Sequence, residues 1–213
     1  MPVQTVSSFL TVLRATVARG SSLDALLPSA LHNALRYIEM NYNMKYMRLR
    51  TSISVLAAST NYTWTGDDST NLKVVRDLYW YGSDGTKYDL RQVQPYEIES
   101  NTGSDPSGFY LVPEQQTDGS INHQFYFDAP HSEARTLRLQ AYTYRGWNGN
   151  EAATNVWLLN NAEQLVLARC MIQLAPVMRD QAIMQMWATV FQDNLGAVLL
   201  AQDEMERGAW GSE

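Results

Sequence analysis

The chain has 213 residues, of which 45% are hydrophobic and 18% charged, a composition that excludes bulk disorder, collagen and coiled coils. Its formal net charge is −6, from 22 acidic and 16 basic residues, which argues against general affinity for nucleic acid. It has no apolar run of the roughly 20 residues that cross a bilayer, and no secretory signal, so we expect a soluble protein that is not exported.

Residue types are unevenly distributed along the chain. All 12 tyrosines lie between Tyr37 and Tyr144, whereas the nine methionines fall in residues 1–47 and 171–205. Eight of the 12 glycines fall in 66–149. This distribution predicts aromatic strands with turns in the middle, flanked by helices that carry methionine.

Two helices are predicted at the N-terminal end. Helical spacing of apolar residues predicts the first over 6–19, with Gly20 as its left-handed cap. The second has Pro28 in its first turn and ends near Met44. The apolar residues of the first helix are Val6, Phe9, Leu10, Leu13 and Val17.

From Met47 the apolar period changes to two, which is typical of strands with one buried face. The expected strands cover residues 47–55, 72–81, 87–93, 109–112, 121–128 and 136–144. Asp84-Gly85 and Asp118-Gly119 supply tight hairpin turns between neighbouring strands. In the last strand Leu137 and Leu139 are expected to point inward. The pattern predicts a small antiparallel sheet or sandwich.

Two further helices follow a loop rich in Gly and Asn. Asn160 and Glu163 have the spacing of a capping box, and Pro176 is expected to end that helix. Asp180 is the expected N-cap of the last helix. Its apolar stripe consists of Ile183, Met186, Trp187, Val190, Phe191, Leu195, Val198 and Leu199, with Trp187 and Phe191 expected in the core.

The fold class expected from these elements is α+β: a helical bundle of N- and C-terminal helices with an inserted antiparallel β-sheet or sandwich. The expected division is a helix pair over 1–44, a β domain over 45–146, a helical hairpin over 147–207 and a flexible tail over 208–213.

Candidate catalytic and metal-binding residues are few. The histidines His32, His123 and His131 lack a second ligand or a catalytic partner, and we expect them to be solvated or hydrogen bonded. Asp67-Asp68 next to Gly66 is typical of a polar turn. Cys170, the single cysteine, excludes an internal disulfide and has the apolar neighbours of a buried residue. We expect no enzyme, no cofactor and no metal site.

The tyrosine and tryptophan side chains of the sheet allow two interpretations. They could form a platform that stacks sugars or bases, or they could belong to the sheet core and a protein interface, where Tyr, Trp and Arg are enriched. The interface is favoured.

The C-terminal part of the chain resembles a known family. Residues Asn155-Val156-Trp157-Leu158-Leu159, an apolar helix closing at Ala175-Pro176, and then Arg179-Asp180-Gln181, Trp187, Phe191, Leu195, Asp203 and Arg207 carry the resemblance. This pattern is similar to the closing helical hairpin of the adaptor, or head-to-tail connector, proteins of tailed bacteriophages. The leading helix pair and the strand-rich insertion extend the similarity to the whole chain.

This resemblance implies a structural virion protein of the neck, assembled in the host cytoplasm. Such a protein forms a dodecameric ring, docks under the portal protein and links it to a tail protein of the nozzle or tail tube. DNA passes through its channel without specific binding, and no membrane is involved. The end of the last helix would contact the portal through Met205, Arg207 and Trp210.

Two other functions stay open at this point. The first is a carbohydrate-binding module that uses the aromatic face of the β domain. The second is an enzyme of the glycosidase type that uses Asp67 or Asp68. Ring formation separates the adaptor from both.

Overall fold

The computed structural model describes residues 5–18, 20–64, 72–96, 105–115, 121–145, 152–153 and 156–210. The chain is mixed α/β, with five α-helices and a nearly closed seven-stranded sheet in these residues. It divides into two compact units, a helical unit of residues 1–46 and 145–213 and a strand unit of residues 47–144. None of the helices in the described ranges is long and apolar enough to cross a membrane.

Five α-helices lie in the described part of the helical unit, and the short third helix was not predicted from the sequence. They are α1 Val6–Val17, α2 Leu27–Asn41, α3 Trp157–Asn161, α4 Glu163–Met178 and α5 Gln181–Trp210. The Oγ1 atom of Thr5 caps α1 by accepting a hydrogen bond from the backbone N–H of Ser8 at 3.0 Å. The expected cap at Gly20 is wrong: the left-handed residue is Ala18, with φ 49°, because Gly20 already begins a short 3₁₀ helix.

Helix α4 contacts α1, α2, α3 and α5. Its start and its end both differ from the sequence-based prediction. The capping box is wrong because Asn160 lies inside α3 and Ala162 precedes α4. Pro176 does not end the helix, which continues for two residues to Met178 before Arg179 adopts the left-handed conformation with φ 54°. Asp180 caps α5 as predicted: its Oδ1 accepts from the backbone N–H of Ile183 at 3.0 Å.

The described residues of the strand unit form seven strands in the order β1-β7-β3-β4-β5-β6-β2. They are β1 Arg48–Val55, β2 Asn61–Trp64, β3 Leu72–Tyr81, β4 Lys87–Gln92, β5 Gly108–Gln115, β6 Ile121–Phe127 and β7 Arg135–Thr143. Strand β2 was not predicted. The hairpin at Asp84-Gly85 joins β3 and β4, with φ 80° at Gly85. The Asp118-Gly119 turn lies outside the described residues, but the flanking strands pair as expected.

The expectation of a purely antiparallel sheet is wrong at one position, since β4 and β5 pair in parallel at Arg91↔Gly108. Glycine permits this close approach: a Cβ atom at Gly108 would lie 2.9 Å from Cγ1 of Val93 and 3.2 Å from the carbonyl oxygen of Arg91.

One hydrophobic core fills the inner face of the sheet, and all seven strands contribute to it. Leu137 and Leu139 are buried there, as the alternation predicted. At the centre, the rings of Phe109 and Phe125 lie 5.8 Å apart. Because inner residues alternate with outer ones along each strand, the opposite face carries the polar and charged residues.

Candidate interaction surfaces

The residues predicted to contact the portal lie in the last turns of α5. The backbone of Met205, Arg207 and Trp210 is helical, while their side chains lie outside the described part of the structure. The expected helix end before Gly208 is wrong, because α5 continues through Trp210. The last three residues of the expected tail, 211–213, also lie outside the described residues.

The apolar stripe of α5 is only partly covered. Phe191 and Leu195 are buried, whereas Met186 is 53% exposed and Leu200 is 65% exposed. The core position expected for Trp187 is wrong, since this side chain is half-buried. Helical spacing gives the direction in which a side chain points but does not ensure that a neighbour covers it. The other half-buried apolar residues of the helix are Ile183, Met184, Val190, Val198 and Leu199.

Two contact regions fix α5 within the helical unit. The ring of Phe191 lies 6.3 Å from Tyr37 and 6.5 Å from Tyr42, measured between ring centroids. Eleven residues later, Oε1 of Gln202 accepts a hydrogen bond from the backbone N–H of Lys45 at 2.9 Å. The helix then continues for eight residues to Trp210, so its last two turns lie beyond these two contacts.

A buried carboxylate holds the helical unit together near both of its connections to the strand unit. Glu39 is 4% exposed; its Oε1 accepts from the hydroxyl of Tyr46 at 2.8 Å, and its Oε2 accepts from the backbone N–H of Arg145 at 3.2 Å. Tyr46 also stacks on Trp157, with ring centroids 4.6 Å apart. Burial, and then the charge of Glu39, raise the pKa of Tyr46 far above its usual value, so its hydroxyl stays protonated and donates.

Sequence reasoning missed this carboxylate, although a signal for it exists. Glu39 follows Leu35 by four residues and therefore lies on the apolar stripe of α2. A charged residue at such a position requires a buried partner, and Tyr46 supplies it.

The expectation that all three histidines are solvated or hydrogen bonded is wrong for His131. His32 is exposed, but His123 and His131 are buried, and in the described structure neither nitrogen of His131 has a hydrogen-bond partner. The ring of His131 lies 4.7 Å from Phe127 and 6.1 Å from Trp80. Burial, followed by the positive charge of Arg135, lowers the pKa of His131.

Asp105 organises the loop that carries His131. It accepts from the backbone N–H and the hydroxyl of Ser132 at 3.0 and 2.8 Å, and from Arg135 Nη2 at 3.0 Å. Burial alone would raise the pKa of Asp105, but these hydrogen bonds and the charge of Arg135 hold it below its usual value. The guanidinium of Arg135 also lies 4.9 Å from the ring centroid of Trp80.

The groups considered for chemistry are not brought together in the described ranges. Those residues hold no cluster of three His, Cys, Asp or Glu side chains suited to a metal ion. Asp67-Asp68 lies outside them. Cys170 is fully buried as predicted, and burial raises the pKa of its thiol to about 12.

Several tyrosine rings of the sheet are already engaged by neighbouring side chains. The ammonium of Lys87 lies 4.4 Å from the ring centroid of Tyr79, whose plane is at 89° to that of Tyr81. Tyr110 and Tyr126 stack on each other at 4.9 Å. A sugar would have to compete with these contacts for the ring faces.

Comparisons with known proteins identify no family. No protein-family model matches the chain, and no curated protein matches it. Among solved structures, it is similar to a chain of the type VI secretion system TssK-TssF-TssG baseplate subcomplex determined by cryo-electron microscopy, with 9% identity and a TM-score of 0.30. The match covers 47% of this chain and 20% of that chain, so this chain spans about a fifth of the length of that one.

Proposed function

We propose that this chain is a structural virion protein, a head-to-tail adaptor of a tailed bacteriophage. In this proposal it forms a dodecameric ring in the neck, docks under the portal protein, and links it to a tail protein around the DNA channel. The helical unit is a bundle of N- and C-terminal helices that builds the ring, and the strand unit is its insertion. The role requires neither a catalytic group nor a cofactor.

The uncovered stripe of α5 is the observation that supports this proposal. A helix of 30 residues is about 45 Å long, whereas the 16 residues of α4 span only about 24 Å. Such a neighbour covers only one side of part of α5, and Met186 and Leu200, which lie about 140° and 180° around the helix from the buried Phe191, stay more than half exposed on the other side. Neighbouring copies in a ring would bury such apolar side chains.

The balance of charge is compatible with a channel for DNA. The net charge is −6. Binding to DNA becomes tight when cationic side chains release counterions from the phosphates, so a channel with few cations near the duplex holds it weakly. A ring of such chains would therefore let DNA pass without holding it.

Electron microscopy in negative stain tests the ring. Purified protein mixed with purified portal rings should add a layer of twelvefold symmetry to one end of the portal. Met186→Glu should reduce ring assembly at least about tenfold, because a carboxylate buried between copies loses its hydration. The matched control is Met40→Glu on α2, since Met40 and Met186 are both 53% exposed. Monomers with no affinity for portal would contradict the proposal.

Truncation tests the portal contact. Removal of residues 208–213 shortens α5 by three residues and leaves the contacts of Phe191 and Gln202 in place, so folding should be unchanged. Co-sedimentation with portal rings should weaken. Equal binding by the truncated and full-length chains would remove Trp210 from the contact, while single changes at Met205 and Arg207 test the other two residues.

A further inference from the structure

The side of α5 that points away from its packed neighbours carries residues at a regular spacing. Phe191 and Leu195 mark the buried side of the helix. At about 100° per residue, six residues lie between about 140° and 220° from Phe191 around the helix axis. All six are exposed, and we name them the outer face of α5: Ala182, Met186, Thr189, Asp193, Gly196 and Leu200.

The spacing of the outer face is that of a coiled-coil seam. Its successive residues stand four, three, four, three and four positions apart, which is the pattern of the a and d positions of a heptad. A seam with this period stays in contact with a second long helix, because the two helices wind slightly around each other. The outer face is therefore shaped for a helix and not for a loop or a strand.

The outer face is complementary to itself when two copies of α5 run in opposite directions. A twofold axis level with Phe191 brings each a position opposite a d position of the second copy. Every large apolar side chain then faces a small residue. The facing pairs are Met186 with Gly196, Leu200 with Ala182, and Thr189 with Asp193.

Open space at Gly196 is what this pairing requires. A Cβ atom at Gly196 would have nothing within 4 Å apart from the backbone of its own helix and its chain neighbours. Met186 is 53% exposed, and methionine is flexible enough to fill an irregular gap. The side chain of Met186 from a second copy could thus pack directly on the helix backbone at Gly196.

The central pair favours the antiparallel direction over the parallel one. In a parallel pair, each residue faces its own copy, so the two Asp193 carboxylates would repel each other and the two Gly196 residues would leave a gap. In the antiparallel pair, Asp193 faces the hydroxyl of Thr189. That hydroxyl donates to the carbonyl oxygen of Gln185 at a long 3.3 Å and can rotate to donate to the carboxylate instead.

We propose that, in the absence of portal, two copies of this chain form an antiparallel pair through the outer faces of α5. Such a contact uses the same surface on both copies and is complete with two. From Ala182 to Leu200 the seam is about 27 Å long, and one helix pair of this length buries less than the roughly 1,600 Å² of a standard interface, so the pair is reversible. The inference goes beyond the adaptor proposal: the ring needs Met186 and Leu200 for a different contact, so pair and ring exclude each other on one helix.

Engineered cysteines test the register. Met186→Cys combined with Gly196→Cys places thiols that face each other, and mild oxidation with oxidised glutathione should give a disulfide-linked dimer on a non-reducing gel. The matched control combines Met186→Cys with Thr189→Cys, which are about 10 Å apart along the axis in the antiparallel pair and should stay mostly monomeric. Native Cys170 is fully buried and does not contribute. Equal linkage by Met186→Cys alone would show a parallel pair and overturn the proposal.

Sedimentation equilibrium without portal tests the contact itself. Gly196→Leu should leave the helix intact, because the position is open and leucine favours helix more than glycine does. It should raise the dissociation constant of the pair at least about tenfold, since leucine takes the place of Met186 in both halves of the contact. The control Ala188→Leu adds a similar volume at an exposed position about 60° from Phe191 and should change the constant less than about twofold.

Two results of this measurement would overturn the proposal. The first is a wild-type chain that stays monomeric at every concentration, and the second is equal weakening by Ala188→Leu. Neither would touch the adaptor proposal, which is tested with portal rings present. Conversely, a pair that forms alone while no ring forms with portal would contradict the adaptor proposal and leave the pair in place.

Discussion

The strand unit and the helical unit differ in how completely they cover their apolar side chains. In the strand unit, the inward residues of all seven strands form one core, and residues such as Phe125 and Leu139 are fully buried. In the helical unit, α2 and α4 bury their apolar stripes, but α5 leaves Met186 and Leu200 more than half exposed.

The difference follows from geometry. A sheet that curls until it is nearly closed covers its own inner face, because each strand has the other strands opposite. A helix has no such internal partner and depends on neighbours that pack against each part of its apolar surface. The strand unit can therefore be stable through its own packing, while α5 keeps apolar surface exposed.

The largest expected effect is in the core of the strand unit. Phe125→Ala should lower the free energy of unfolding by about 3–5 kcal/mol, because it removes a fully buried ring that contacts Phe109. Urea unfolding measures the loss, and hydrogen exchange should rise mainly within residues 47–144. The control Tyr81→Ala removes a ring that is 57% exposed and should cost less than about 1 kcal/mol. Equal costs would show that the core is not closed.

The next effect compares two aromatic residues one turn apart on α5. Phe191→Ala should cost roughly 3 kcal/mol, since this buried ring contacts Tyr37 and Tyr42. Trp187→Ala should cost roughly half as much, because Trp187 is half-buried. Urea titrations of both variants measure the difference. If Trp187→Ala lost more unfolding free energy than Phe191→Ala, Trp187 would be a core residue, as the sequence predicted. Helix α5 would then have to be rotated about its axis.

The sequence predicts which segments form helices and strands better than it predicts which of these elements lie next to each other. Alternation over 135–143 identifies β7 because the period of two is uninterrupted, and Asp180 identifies the start of α5. Strand β2 was not predicted because it has only four residues, too few to show a period of two. The parallel pairing of β4 with β5 depends on where a long connection returns, which local patterns do not encode.

The candidate sites were predictable to a smaller extent. The heptad spacing of the outer face of α5 is visible in the sequence, but the exposure of its six residues depends on which neighbours pack against the helix. The contacts of Glu39 depend on chain segments about a hundred residues apart. The burial of His131 depends on the packing of Trp80 and Phe127 around a loop that has no period of its own.

An intermediate effect concerns the buried carboxylate of the helical unit. Glu39→Ala should cost about 1–3 kcal/mol, because it leaves the hydroxyl of Tyr46 and the backbone N–H of Arg145 without this acceptor. Glu39→Gln retains an acceptor and should cost less. A double-mutant cycle with Tyr46→Phe should give a coupling energy of about 0.5–3 kcal/mol. Strict additivity of the two changes would mean that the contact contributes nothing to stability.

The smallest effect is a pH dependence confined to the strand unit. Because burial and then Arg135 lower the pKa of His131 in the folded chain, the unfolded chain binds a proton more readily. The contribution of neutral His131 to stability is therefore complete above the pKa of the unfolded chain, about 6.5. It is lost as the pH falls from there through the lower pKa of His131 in the folded chain. Asp105, the acidic group that opposes this shift, is already hydrogen bonded to Ser132 and Arg135. The melting temperature should fall by a few degrees between about pH 7.5 and pH 5.

The matched variants for this pH dependence are His131→Phe and His32→Gln. Phenylalanine fits between aromatic neighbours and cannot take up a proton, so the fall in melting temperature should shrink. His32 is exposed, and its replacement should leave the pH profile as it is. His123 is buried as well, and burial lowers its pKa, so part of the dependence should persist in His131→Phe and disappear when both are replaced. If the double replacement leaves the pH profile of the melting temperature unchanged, carboxylates and not histidines cause the acid sensitivity. The carboxylate of Asp105 is then the first to examine.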